Sequence, residues 1–269
     1  MTRFLVVPQW QGSPAARAML LAEGAEAIAG DLPRAARTPV EVPVEAGESL
    51  ETGIRRFSAL TRVRDAVSEA LAASSEPAVI VGGDCSVAVA AIAHAAGHHP
   101  DLAVVWFDAH ADLHSPQTSV SGAFAGMALR AVFADGPWGP ASVTADRVVL
   151  AGAREFDPAE EDVLRSSAVT HIPADALADP ATIADAVAAS GADAVYVHVD
   201  LDVLDPAVLA GVSQAVPFGA RGEDIAGAVR ELRSRVPLVG SSISGFAPAT
   251  PDAAVDDLGT ILRIVGALA

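Results

Sequence analysis

The chain has 269 residues, of which 51% are hydrophobic but only 4% aromatic, so its core has to be built from Ala, Val, Leu and Ile, which suits helices packed on a parallel sheet. Seventeen basic against 34 acidic residues leave a formal charge of −17; this argues against nucleic acid or an anionic membrane as partner, since both demand clustered positive charge, and favours a small cationic ligand. The lone cysteine rules out an internal disulfide, no uncharged apolar stretch reaches membrane-spanning length, and the opening apolar run is too short for a signal peptide, so a soluble, cytoplasmic protein is expected.

In chain order, residues 4–7 read as a first strand. Ser13-Pro14 reads as an N-cap with proline at the first helical position, opening an Ala-rich helix that closes at Gly30. Residues 40–44 suit a short edge strand, because Pro39 and Pro43 would spoil a central one. Leu50, Ile54, Phe57, Leu60, Val63, Val67 and Leu71 recur at steps of three and four, the mark of a helix with one buried face. A buried strand over 78–81 turns at Gly82-Gly83 into a helix ending near Ala96, and the strand over 104–107 is followed by a loop and a helix to about Phe133. Strands over 147–151 and 169–172 each precede a helix opened by Asp-Pro, at Asp157-Pro158 and Asp179-Pro180. The strand over 194–199 leads to Asp205-Pro206, expected to start a short helix. A helix over 221–235, a strand over 238–244 and a helix from about Asp252 complete the chain. Eight strands alternating mostly with helices predict a three-layer α/β/α sandwich around a mostly parallel sheet, with ligands outside the carboxyl ends of its strands. No linker-like stretch divides residues 1–269, which are read as one domain.

The stretch with the most chemistry is Asp108-Ala109-His110-Ala111-Asp112, at the end of the apolar run Val104-Val105-Trp106-Phe107. Side chains two apart in an extended chain point the same way, so the two carboxylates and the imidazole are expected to converge. Carboxylates brought that close repel unless one is protonated or a cation sits between them, and a neutral imidazole beside them completes a metal-ligand set. A second strand ends in the same manner at Asp200-Leu201-Asp202.

Three stretches together, Gly82-Gly83-Asp84-Cys85-Ser86, Asp108-Ala109-His110-Ala111-Asp112 and Asp200-Leu201-Asp202-Val203-Leu204-Asp205-Pro206, resemble in order the metal-binding motifs of the ureohydrolase superfamily of arginase, agmatinase and formimidoylglutamase. The resemblance implies the arginase-like fold and two manganese ions bridged by a hydroxide that attacks a guanidinium or amidine carbon. It implies Cys85, Asp108, Asp112 and Asp200 at the first ion and Asp108, His110, Asp200 and Asp202 at the second. Gly152-Ala153-Arg154-Glu155-Phe156-Asp157-Pro158 is similar to a further family motif, which makes Glu155 and Asp157, with the retained Ser121, candidates to bind substrate. A trimer or hexamer is implied by the same resemblance.

The chain also departs from that pattern. Cys85 stands where the family has histidine; a thiolate is softer and prefers zinc or iron, so the first ion's site is either weakened for manganese or retuned. Ala125 stands where the family's proton-shuttling histidine belongs, and His114, in the place of a carboxylate-binding asparagine, either substitutes for it in part or is a loop histidine that lines the pocket. Gly245 occupies the place of the glutamate that pairs with the guanidinium. Asp112 and His114 are thus the residues expected to carry catalysis. Two functions follow: a metal-dependent hydrolase of a C–N bond in a guanidine, hydroxyguanidine or amidine, or a catalytically silent arginase-fold subunit with a structural or regulatory role.

Overall fold

Short Val-, Ile- and Leu-rich runs buried on both sides make the inner strands, and in the computed structural model, which describes residues 2–269, they assemble with two short edge strands into one sheet. The strands are β1 (Arg3–Val7), β2 (Arg37–Pro39), β3 (Ala78–Gly82), β4 (Leu102–Phe107), β5 (Val148–Ala151), β6 (Thr170–Ile172), β7 (Ala194–Asp200) and β8 (Leu238–Ser244). Their order is β2-β1-β3-β8-β7-β4-β5-β6, and every neighbouring pair is parallel. The sheet is therefore parallel throughout rather than mostly so.

Alternate strand residues feed two cores. Phe4, Val79, Val105, Val197 and Ile243 pack on one face with helices α1 (Met19–Gly30), α6 (Ala181–Ser190), α7 (Gly222–Arg235) and α8 (Pro251–Leu268). Leu5, Ile80, Val104, Leu150 and Tyr196 pack on the other with α2 (Phe57–Ala72), α3 (Val87–Ala96), α4 (Ala128–Phe133) and α5 (Pro158–Ser166). This is the expected three-layer α/β/α arrangement. No helix among the described residues is long and apolar enough to cross a membrane.

Four local expectations change. Ser13 Oγ accepts the Ala15 N–H at 3.1 Å, a local turn that competes with helix capping, and α1 starts only at Met19. The edge strand lies at Arg37–Pro39, pairing Phe4 with Arg37 and Val6 with Pro39. Leu50, Glu51 and Arg56 adopt left-handed φ values of 50°, 61° and 60°, so α2 begins at Phe57 although Ile54 keeps its place in the core. Asp205-Pro206 opens a turn instead of a helix, since the Asp205 carboxylate accepts the N–H groups of Ala207 and Gly219 at 2.9 and 3.1 Å.

Candidate metal centre

The strand order makes β3, β8, β7 and β4 neighbours, and their carboxyl ends deliver Cys85, Gly245, Asp200 and Asp108 to one cleft of about 310 Å³. Extended alternation is not what gathers Asp108, His110 and Asp112. β4 stops at Phe107, and Asp112 has a left-handed φ of 53°, a conformation that Asp tolerates better than most residues. The loop is held by its backbone: Ala109 O accepts the N–H groups of Arg154 and Glu155 at 2.9 and 3.1 Å. Ala109 N in turn donates to Asp202 Oδ1 at 3.0 Å.

Two groups of donor atoms result, each within 4.8 Å: Cys85 with Asp108 and Asp200, and Asp108 with His110 and Asp202. Asp108 belongs to both, as a bridging carboxylate would. Asp112 joins neither triplet but accepts the Cys85 thiol, Sγ to Oδ2 3.1 Å. His110 Nδ1 lies 3.0 Å from Asp202 Oδ2 and 3.4 Å from Asp108 Oδ1. Asp108, Asp112, Asp200, Asp202 and Cys85 are all buried.

Burial of so much like charge sets the protonation. Burial and then Asp202 push Asp200 up to about 8, and burial and then Asp108 push Asp202 up to about 6. Asp112 is raised well above the usual carboxylate range by burial and Asp108, and the Cys85 thiol by burial and Asp112. For His110 burial works the other way, but hydrogen bonds to Asp108 and Asp202 overcome it and push the imidazole up to about 12. The cluster thus draws positive charge to itself. The chain contains no lysine, and among the described residues no arginine lines the cleft, so within the buried cluster the carboxylates of Asp108, Asp112, Asp200 and Asp202 face only the His110 imidazole. An oxygen-rich set with one nitrogen and one sulfur fits divalent cations.

The remaining expected residues line the same cleft. His114 stands apart from the two triplets: its Nε2 pairs with Asp157 Oδ2 at 2.9 Å, and its Nδ1 meets Thr118 Oγ1 at 3.2 Å. Glu155 is exposed, its Oε2 3.9 Å from His110 Nε2. Ser121 is exposed and accepts the Ala123 N–H at 3.2 Å. Sequence reasoning missed Glu160, a buried carboxylate that accepts Leu113 N–H and Asp157 N–H at 3.1 and 3.0 Å and forms a third acidic group with His114 and Asp157. The spacing Asp157-x-x-Glu160 at a helix start was the available signal.

Arg154 joins the parts. Its guanidinium donates to the carbonyls of Gly152, Asp202, Val203, Leu204, Val216 and Pro217 at 2.6 to 3.4 Å, tying the Asp202 turn to the loop at the mouth. Of the departures, Ala125 offers only its carbonyl, 3.6 Å from Cys85 Sγ. Gly245 has φ +88°, and a Cβ there would lie 2.0 Å from Asp200 Oδ1. A side chain at that position would adopt a strained backbone conformation and force the Asp200 carboxylate to move.

Fold and cleft together define an open-sheet α/β protein with a buried, cation-attracting cluster where four adjacent strands end. The model of the Arginase family matches residues 17–257, and the chain belongs to that family. It is 32% identical to the N(omega)-hydroxy-L-arginine amidinohydrolase of Streptomyces lavendulae over 211 residues, 77% of this chain and 74% of that one. It is 28% identical to an arginase of Staphylococcus aureus over 192 residues, 66% of this chain but 64% of the relative's length. The arginase of Entamoeba histolytica superposes with a TM-score of 0.86 at 21% identity, covering 99% of this chain and 97% of that one.

Proposed function

We propose that residues 1–269 act as one ureohydrolase-like domain that hydrolyses a C–N bond in a guanidine, hydroxyguanidine or amidine. The observation that carries this reading is the convergence of Asp108, His110, Asp112, Asp200 and Asp202 beside Cys85 in a cleft that, among the described residues, has no basic side chain other than histidine. Cys85, Asp108, Asp112 and Asp200 would hold one divalent ion and Asp108, His110, Asp200 and Asp202 a second, with manganese suited to the oxygen donors. Paired dications, when bound, make a shared water acidic enough to serve as nucleophile near neutral pH.

The chain's own residues do the rest. The acidic walls, Glu155 and Asp157 among them, attract a cationic substrate and orient its amino group, and Ser121 offers a hydroxyl at the rim. His114, held between Thr118 and Asp157, is the imidazole that lines the cleft beside the loop carrying Ala125, and it passes a proton to the leaving amine. A hydroxyguanidine depends least on the absent histidine and glutamate, because its hydroxyl brings an extra oxygen donor. The similarity to the N(omega)-hydroxy-L-arginine amidinohydrolase of Streptomyces lavendulae supports that preference.

The test is amine release from a panel of guanidines, amidines and hydroxyguanidines with Mn²⁺. Turnover of a hydroxyguanidine above that of its parent guanidine is expected. No release above background from any of them would overturn the hydrolase and leave the silent, structural or regulatory subunit, which Ala125 and Gly245 favour. A trimer or hexamer in solution is proposed with either reading, and light scattering during size exclusion measures it.

A further inference from the structure

Beneath the acidic cluster, on the α3 side of the sheet, lies a layer of polar side chains that the hydrolytic reading does not use. Trp106 on β4, His198 on β7 and Ser242 on β8 occupy the same level, with Trp106 in register with His198 and His198 with Ser242. All three are fully buried. The indole and imidazole stack, ring centres 3.9 Å apart and planes 37° from parallel. One level up, Asp108 follows Trp106 and Asp200 is in register with Ser244.

Each ring reaches one shared carboxylate. Trp106 donates its Nε1–H directly to Asp108 Oδ2 at 3.1 Å. His198 works through Ser244, whose hydroxyl donates to Asp200 Oδ2 at 3.0 Å and lies 3.5 Å from His198 Nε2. With Asp200 ionised, as a cation ligand is, Ser244 gives its proton to the carboxylate and its oxygen can only accept from the imidazole. Nε2 therefore carries the hydrogen, and Nδ1 accepts the Ser242 hydroxyl, 2.7 Å away. The donors run in one direction, Ser242 to His198 to Ser244 to Asp200, and such chains reinforce one another in a low-dielectric interior. The other oxygen of each carboxylate takes a backbone N–H, His110 N on Asp108 and Asp202 N on Asp200, so both groups are fixed at both ends.

We propose that His198 is a positioning residue: stacked on Trp106 and bonded through Ser244, it sets the orientation of Asp200 as Trp106 sets that of Asp108. One layer of side chains then fixes the spacing of the two carboxylates on which a bound ion pair depends. Partners that orient ligands from behind are typically worth about 10- to 100-fold in metal affinity. This rests on the cluster's being a cation site and is independent of hydrolysis.

The experiment is a calorimetric titration of the metal-stripped full chain with Mn²⁺, for wild type, Ser244→Ala, His198→Phe and His198→Gln. Phenylalanine keeps the stack and the volume but deletes the polar chain, whereas glutamine supplies both a donor and an acceptor. Ser244→Ala and His198→Phe are expected to weaken binding by about tenfold or more, with His198→Gln recovering most of the loss. Urea unfolding of the metal-free variants separates this from loss of fold; if His198→Phe does not fold, Ser244→Ala, which removes one hydroxyl, decides. Wild-type binding that survives both substitutions within twofold overturns the positioning role alone, whereas a wild type that binds no Mn²⁺ removes the cation site as well.

Discussion

Replacing Gly245 by glutamate would seem the direct way to restore the acid that faces a guanidinium in this family, yet the geometry argues that it damages the centre. The position has φ +88°, where an L-residue costs about 1–2 kcal/mol relative to glycine. Its Cβ would stand 2.0 Å from Asp200 Oδ1 and 2.7 Å from Cγ, far inside contact distance. The backbone cannot retreat freely, since Gly245 N donates to Gly83 O at 2.9 Å on the neighbouring strand's turn. Overpacking a filled site costs a further 1–3 kcal/mol or so, giving about 2–5 kcal/mol for Gly245→Ala and no less for Gly245→Glu. The displaced group is a proposed bridging carboxylate, so Mn²⁺ affinity should fall together with stability. Urea unfolding of the metal-free variants at pH 7, paired with Mn²⁺ titration, reads both quantities. A Gly245→Glu protein as stable as wild type that gains amidine hydrolysis would refute the reasoning.

Three other outcomes are expected. Asp200 and Asp202 have folded values of about 8 and about 6, above the unfolded value near 4. Their contribution to stability is therefore full below about pH 4 and is lost as pH rises through 6 and 8. The metal-free protein should melt at lower temperature at pH 8 than at pH 5, and Mn²⁺ should bind more tightly at pH 8 with release of protons, measurable by calorimetry in buffers of different ionisation enthalpy; a flat melting profile would count against this. If Cys85 is a ligand, the Co²⁺-loaded protein shows near-ultraviolet sulfur-to-cobalt absorption that Cys85→Ser abolishes, and an unchanged spectrum would remove the thiolate from the set. Arg154→Gln should lower stability to urea by about 2–4 kcal/mol, because several charge-assisted bonds to half-buried backbone carbonyls are lost at once; a change under 1 kcal/mol would mean that the surrounding loops hold themselves.

Much of this architecture can be read along the chain, because buried parallel strands are short apolar runs and the helices between them carry one apolar face. The acidic motifs likewise announce a cation site by composition. Periodicity does not reveal which strand ends meet, and it supplied the wrong reason for the convergence of Asp108, His110 and Asp112, which a loop gathers beyond the last strand residue. His198 looks like one polar interruption of an apolar strand until β4 and β8 are known to flank β7. Gly245 reads as a missing acid; only its φ and its distance to Asp200 show that any side chain there would displace the Asp200 carboxylate. At Leu50 and Glu51 the apolar spacing continues through left-handed residues, since the core can be reached from a turn as well as from a helix.

The most direct check on the central claim is the number of Mn²⁺ ions bound per chain when metal-free protein is titrated at pH 8. Two ions for the wild type, with loss of binding in Asp108→Ala, is the expected result. A chain that binds none and gains no thermal stability from the ion would contradict it.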